Sequence, residues 1–177
     1  KLFLNLISIF VYEKVSIFEA RIFTLDDGTV IDTFKFSIDF NQKFNTIDEE
    51  RILSSVKEKL DKLGKGEVTL IKEGPVSKIR TIHKMMDVTI DNQSSSTYTI
   101  LNVKTNDRPK LLYDISKILI RNKVVISMAK ISTNGDFVED SFHLRSQHGL
   151  KIENTSQINN IINEINKQLS ENTGNVT

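Results

Sequence analysis

The chain has 177 residues, 38% of them hydrophobic, which suits one or two small domains; no run approaches the roughly 20 apolar residues that span a membrane. Its 24 lysines and arginines against 23 aspartates and glutamates leave a net charge of +1, which offers no general field for nucleic acid or an acidic membrane. The absence of cysteine excludes disulfides and thiolate metal sites, and without a signal-peptide cleavage site the expected compartment is the cytoplasm.

The pattern of residues 1–64 predicts a first domain with a helix, two strands joined by a hairpin, and a second helix. Apolar residues from Leu2 to Phe10 recur at the spacing of one helical stripe. Asp26-Asp27-Gly28 marks the hairpin, because aspartate and glycine accept the backbone conformation of tight turns. In the second helix, Thr46 fits an N-terminal cap and Gly64 fits a C-terminal stop.

The segment between the two predicted domains, residues 65–87, is interpreted as a linker whose basic run, Lys78 to Lys84, is solvated surface. Val88 and Ile90 then alternate with polar residues, which predicts a strand. Two places are open for this strand: it completes the first domain, or it opens the second, which is assigned to residues 88–170.

The second domain continues with a β-prone stretch from Tyr98 to Val103 and a turn at Asn106-Asp107-Arg108-Pro109. A helix, a hairpin at Asn134-Gly135 and a closing helix with an apolar stripe from Ile158 to Leu169 follow. No further strand is evident, and residues 171–177 are expected to form a disordered tail.

The two domains are predicted to be copies of one unit. Val15 to Thr24 matches Val124 to Thr133, 109 positions later, and Asp32-Thr33-Phe34 matches Asp140-Ser141-Phe142, 108 positions later. The difference of one residue falls in a hairpin loop, where changes of length are tolerated. The predicted fold class is therefore α+β, with two ferredoxin-like βαββαβ sandwiches of which the first lacks its N-terminal strand.

The strand-to-helix turn carries a family resemblance. Asn106-Asp107-Arg108-Pro109, followed by Leu111 and Leu112, resembles the Asp-Arg-Pro-Gly turn that opens the first helix of an ACT domain. Ile126–Thr133 resembles the second strand of that family, and Val88–Asn92 precedes it in the matching order. Over nearly the whole chain, the motifs are similar to the C-terminal ACT pair of the bifunctional uridylyltransferase/uridylyl-removing enzyme family.

This resemblance implies a sensor that binds an amino acid, glutamine in that family, and controls uridylylation and deuridylylation of the nitrogen-signalling protein PII. It also implies upstream nucleotidyltransferase and phosphohydrolase domains, with magnesium as their cofactor, and an ACT-mediated homodimer. The chain itself carries no catalytic motif, so no catalytic residue, cofactor or metal ligand is assigned in it. Whether it forms part of an enzyme depends on those upstream domains.

The resemblance implies a ligand site at the turn and on the second strand. The implied ligand-binding residues are Asn106, Asp107, Arg108, Lys110, Leu111, Leu112, Ser127 and Met128. Backbone N–H groups at a helix N-terminus attract a carboxylate, and Asp107 suits an ammonium group. In the alternative interpretation, Asp107 and Pro109 only start the helix. Lys110 replaces the family's glycine, as Lys1 does in the first domain, which favours a second hypothesis, a ligand-free dimerisation module.

Other polar residues receive structural interpretations. Asp32 and Asp140 each lie on an otherwise apolar strand face and are interpreted as bonding a neighbouring turn, with ligand binding as the alternative. His143 is predicted to lie on the surface, and Tyr98 and Tyr113 to pack in a core or interface. RNA-recognition domains use the same strand order, but RNA binding is disfavoured because the strands lack the stacking aromatic pattern. With the near-neutral charge, neither nucleic acid nor membrane is expected as a partner.

Overall fold

The computed structural model of the chain describes residues 2–13, 15–25, 27, 29–38, 46–67, 85–108, 110–134 and 137–171, which form four helices and six strands. The helices are α1 (Leu2–Tyr12), α2 (Thr46–Gly64), α3 (Leu111–Arg121) and α4 (Thr155–Glu171). The strands are β1 (Val15–Thr24), β2 (Val30–Ile38), β3 (Met86–Asp91), β4 (Thr99–Asn106), β5 (Val124–Asn134) and β6 (Phe137–Ser146). The basic run of the predicted linker, the residue Pro109 and residues 172–177 of the predicted tail lie outside the described residues, whereas Glu171, the first residue of that tail, ends α4.

All six strands belong to one antiparallel sheet with the order β2-β1-β5-β6-β4-β3. The helices pack against one another, α2 on α1, α1 on α3 and α3 on α4, and cover one face of the sheet. Residues of β4 alternate between buried and half-buried, as expected for a strand with one covered face. The α+β class predicted from the sequence is confirmed. The face of the sheet opposite the helices is the outer face.

A larger core lies between the sheet and helices α3 and α4. Its fully buried members include Leu101, Ile115, Leu119, Phe142, Leu144, Ile161 and Ile165. The apolar stripe predicted for the closing helix is confirmed, since Leu169 is buried in the same core. None of the helices in the described part of the chain has the length and apolar run needed to cross a membrane.

The N-terminal half, α1 to α2, has a smaller core of its own. Its buried members are Ile9, Phe10, Val15, Ile52 and Val56. One residue of α1 departs from this set: Ile7, only 1% exposed, belongs to the larger core with the residues of α3. Ile7 therefore helps to hold the two halves together, with Phe3 and Val11 of the same helix packed partly against the same core.

The halves also meet where β1 pairs with β5. Arg21 lies opposite Lys130, which is its counterpart when the two sequences are aligned. Both strands have an irregular register at matching places, between Ile17 and Glu19 in β1 and between Ile126 and Met128 in β5. The resulting sheet runs without interruption from one half into the other.

The strand predicted at residues 88–92 does not complete the first domain. It forms β3, which pairs with β4 at the far edge of the sheet from β1 and β2. The reason is local: Val88 lies opposite Val103 and joins the larger core, and a short polar loop closes the hairpin. In a βαββαβ order, the strand that follows the second helix would occupy this edge. Here the edge strand is β3, which precedes β4 in the chain.

Polar contacts fix the hairpin loop between β3 and β4. The amide of Asn92 donates to the carbonyl of Ile152 at 2.9 Å, and the hydroxyl of Thr99 donates to Asn92 Oδ1 at 2.6 Å. The N–H of Ile152 in turn donates to the Thr99 hydroxyl at 2.9 Å. Because Thr99 is fully buried, this network satisfies polar groups inside the core and pins the loop to the segment before α4.

Candidate functional site

The corner between β4 and α3 is the candidate site predicted from the sequence. Lys110 occupies the N-cap position of α3 with a left-handed backbone, at φ 64° and ψ 6°, and its own side chain makes no capping hydrogen bond. The N–H of Leu111 donates a hydrogen bond to the carbonyl of Arg108 at 3.2 Å. The N–H of Asp114 donates to the carbonyl of Lys110 at 2.9 Å. The cap is thus Lys110 rather than Asp107, because the tight turn at Arg108 delays the helix start.

An ion pair ties the corner to the first turn of the helix. Arg108 Nη1 lies 2.7 Å from Asp114 Oδ2, and the two side chains are only 11% and 17% exposed. Partly buried, charge-assisted pairs of this kind are stronger than surface pairs. The ion pair therefore holds the end of the turn against the first turn of α3.

The other predicted corner residues face in different directions. Asn106 Oδ1 accepts a hydrogen bond from the N–H of Met85 at 3.0 Å, which ties the end of β4 to the start of β3. Asp107 is exposed, as a residue meeting a ligand's ammonium group needs to be. Leu111 and Leu112 bury their side chains in the larger core, so only their backbone is available at the corner.

Ser127 and Met128 do not lie at this corner. Met128 pairs with His143, which pairs with Ile100, and Ile100 lies six positions along β4 from Asn106. Six residues of extended strand span about 20 Å. The site residues predicted from the sequence therefore form two groups, which lie about 20 Å apart along the strands. The strand of the N-terminal half that lies level with the corner is β1, whose Glu19 pairs with Ser132.

Asp140 lies beneath the corner on the helix-covered side of β6. Its carboxyl group is 1% exposed and accepts one hydrogen bond, from the N–H of Ser132 at 3.3 Å. Burial raises the pKa of Asp140 to about 7; the bond from Ser132 opposes this effect, and the negative charge of Asp107 adds to it. The partner of Asp140 is thus a neighbouring strand, not the turn that the sequence suggested.

Asp32 is the counterpart of Asp140 in the N-terminal half. Burial raises the pKa of its carboxyl group to about 6. Its Oδ1 atom is enclosed and finds no hydrogen-bond partner among the described residues. Both halves therefore carry a carboxyl group whose charged form is poorly solvated.

Replacing Lys110 by glycine is expected to stabilise the fold by about 1 kcal/mol, because glycine adopts the left-handed conformation without a Cβ penalty. Equilibrium urea unfolding measures the change. Lys123→Gly is the matched control: Lys123 follows the end of the same helix, also has a positive φ, 58°, and loses the same charge. A loss of stability in Lys110→Gly alone would show that the lysine side chain contributes more than the strain it imposes.

Comparison with known proteins identifies relatives of both halves. Residues 87–173 match the family described as "ACR9-like, ACT-like domain". The chain is 32% identical over 151 residues to the bifunctional uridylyltransferase/uridylyl-removing enzyme of Azospirillum brasilense, covering 80% of this chain and 16% of that protein. The same-named proteins of Rhodospirillum rubrum, 34% identical over 143 residues, and Ruegeria pomeroyi, 32% identical over 162 residues, match 78% and 88% of this chain and 15% and 17% of their own lengths.

No solved structure matches the chain. The chain spans about one-sixth of the length of the curated relatives that it matches. An ACT-like domain within such relatives supports a regulatory role. The protein therefore contains an ACT-like domain at residues 87–173, in a chain homologous to part of the bifunctional uridylyltransferase/uridylyl-removing enzymes.

Proposed function

We propose that the chain is a tandem of two related ACT units that senses an amino acid, glutamine, at the corner between β4 and α3. Bound ligand would control uridylylation and deuridylylation of the PII protein by catalytic domains upstream in the parent protein, in the cytoplasm. The metal-dependent chemistry, with magnesium as the expected ion, belongs to those upstream domains. Pairing of ACT units between two copies of the chain is also part of this proposal.

The observation that carries the proposal is the start of α3, where the Lys110 side chain makes no capping hydrogen bond. N–H groups of a first helical turn that have no acceptor within the helix are suited to a ligand's α-carboxylate, helped by the helix dipole. Asp107, exposed at the same corner, supplies a negative charge for the α-ammonium group. The positive φ of Lys110 supports the resemblance, because the family's glycine adopts this conformation readily.

The signal has a physical route out of the corner. Helix α3 packs on α1, and β5 pairs with β1. A shift of α3 would therefore move α1 and change how the two halves pack together. A ligand changes the arrangement of the halves only as far as its affinity differs between the two arrangements. The upstream domains are then coupled to the ligand through the N-terminal half.

Titrating the chain with glutamine tests the proposal. Calorimetry should show saturable heat, and the amide signals of residues 106–112 should move in NMR spectra. Asp107→Asn should weaken binding by about 10-fold, since it removes a charge-assisted contact to the ammonium group. Asp61→Asn, an equally exposed change on α2, is the control and should bind like the unmodified chain. Absence of heat and of amide shifts at about 10 mM glutamine, a concentration that detects even weak sites, would count against the proposal.

A ligand-free pairing module is the second candidate, and Lys110 favours it. A Cβ and a long side chain stand where the family's glycine lets a ligand approach the backbone. Titrating Lys110→Gly with glutamine separates the candidates. If neither form binds and the chain is dimeric by light scattering, the pairing module is the better description. Binding by the unmodified chain excludes it.

A further inference from the structure

A cluster of polar and aromatic side chains lies on the outer face of the sheet, on three neighbouring strands of the C-terminal half. His143 and Arg145 belong to β6, Ser127 to β5, and Tyr98 directly precedes β4. The Tyr98 ring lies 5.5 Å from the His143 ring and 5.2 Å from the Arg145 guanidinium carbon. The Tyr98 ring thus lies close to both the imidazole of His143 and the guanidinium of Arg145.

Arg145 is held from two sides, yet its charge is not neutralised. Its Nε donates to the hydroxyl of Ser127 at 3.0 Å, and Ser127 is itself buried beneath it. Its plane is steadied by the Tyr98 ring. Within the residues that the structure describes, no carboxylate lies within 4.0 Å of Arg145 and its two terminal nitrogens make no hydrogen bond, whereas Arg21, Arg108 and Arg121 each pair with a carboxylate.

His143 adds a second unsatisfied polar group next to Tyr98. The sequence predicted a surface position for it, but its side chain is half-buried and its Nδ1 atom is enclosed without a hydrogen-bond partner in the described part of the chain. Enclosed polar atoms in folded proteins nearly always have a partner, so an orphan calls for an explanation. A bound group that accepts a hydrogen bond from Nε2 would fix the tautomer and orientation of this ring.

We propose that Arg145 and His143 form a binding site for an oxyanion, a carboxylate or phosphoryl group, on the outer face. The two terminal nitrogens of a guanidinium present parallel N–H bonds that match the two oxygens of such a group. Ser127 and Tyr98 orient the guanidinium without using those nitrogens. The site is separate from the corner, because Thr99, opposite Leu144, lies at the other end of β4 from Asn106.

NMR titration of the chain with inorganic phosphate, and separately with citrate, tests this site against sodium chloride at equal ionic strength. The Nε–Hε signal of Arg145 and the ring signals of His143 and Tyr98 should shift saturably. Arg145→Lys keeps the charge but loses the paired N–H bonds, and should weaken binding by about 10-fold. Arg121→Lys is the control: Arg121 is paired with Glu164 at 2.7 Å, and its replacement should leave binding unchanged.

The two anions distinguish the source of the group. A response to phosphate alone assigns a phosphoryl site, a response to citrate alone a carboxylate site, and a response to both a general oxyanion site. The proposal is overturned if neither anion gives a saturable shift at about 20 mM, above the range of weak specific sites. It is also overturned if Arg145→Lys, shown to be folded by its thermal unfolding, responds as the unmodified chain does.

Discussion

Asp140→Asn should raise the free energy of unfolding at pH 8 by up to about 4 kcal/mol, the equivalent of moving a carboxyl pKa from 3.8 to about 7. The physical reason is that, among the described residues, no cation pairs with the buried carboxyl group and its one hydrogen bond is the long one from Ser132. Asparagine has the same shape, and its Oδ1 can keep that bond while removing the charge. Urea unfolding at pH 8 and at pH 5 measures the effect.

The direction of the pH dependence follows from the raised pKa of Asp140. Between about pH 4 and pH 7 the folded chain binds more protons at this group than the unfolded chain, so stability falls as the pH rises through that window. In Asp140→Asn this slope should flatten. Asp32→Asn is the comparison: its pKa of about 6 predicts a smaller gain over a narrower window. An unchanged slope in Asp140→Asn would contradict the explanation.

Ile7→Ala should destabilise the chain by about 3 kcal/mol, the usual loss when a fully buried isoleucine is truncated and a cavity remains. The expected consequence reaches beyond α1. Since Ile7 belongs to the core that contains α3, the truncation should also loosen the contact between the halves. Hydrogen exchange of the α1 and α3 amides measures both effects, and both helices should lose protection.

Ile9→Ala separates the loss of packing from the loss of contact between the halves. Ile9 lies on the same helix and is 4% exposed, but it belongs to the smaller core of the N-terminal half. Its truncation should reduce protection in α1 and α2 and leave α3 unchanged. Full protection of α3 in Ile7→Ala would mean that the pairing of β1 with β5 holds the halves together without this side chain.

The sequence predicted the elements of the fold better than their partners. The alternation of Val88 and Ile90 identified a strand and its buried face, but alternation carries no information about which edge a strand joins. In this chain the short hairpin to β4 makes that choice, and the bond between Asn92 and Ile152 then holds the hairpin loop against the segment before α4. The end of α2 was predicted at Gly64 from neighbouring residues; the helix does end there, but the left-handed turn that follows it is made by Gly66, whose φ is 76°.

The same distinction applies to the candidate sites. The corner is predictable because its turn residues are consecutive, and Lys110, which departs from the family's glycine, has the left-handed backbone that glycine adopts readily. The resemblance implied Ser127 as a ligand residue on the second strand, and its distance from the corner could not be read from periodicity. The Arg145 cluster joins three separate stretches of sequence, and only the register of β4, β5 and β6 brings them together.

The origin of β3 has a consequence for how the sheet assembles. Pairing β3 with β4 closes a loop of only the few residues between Asp91 and Thr99. A strand arriving after α4 would need the whole of α3, β5, β6 and α4 to be looped out first, and each doubling of loop length adds about 0.6 kcal/mol of closure entropy. We therefore expect this hairpin of neighbouring segments to form before the pairing of β1 with β5, whose strands are far apart in sequence.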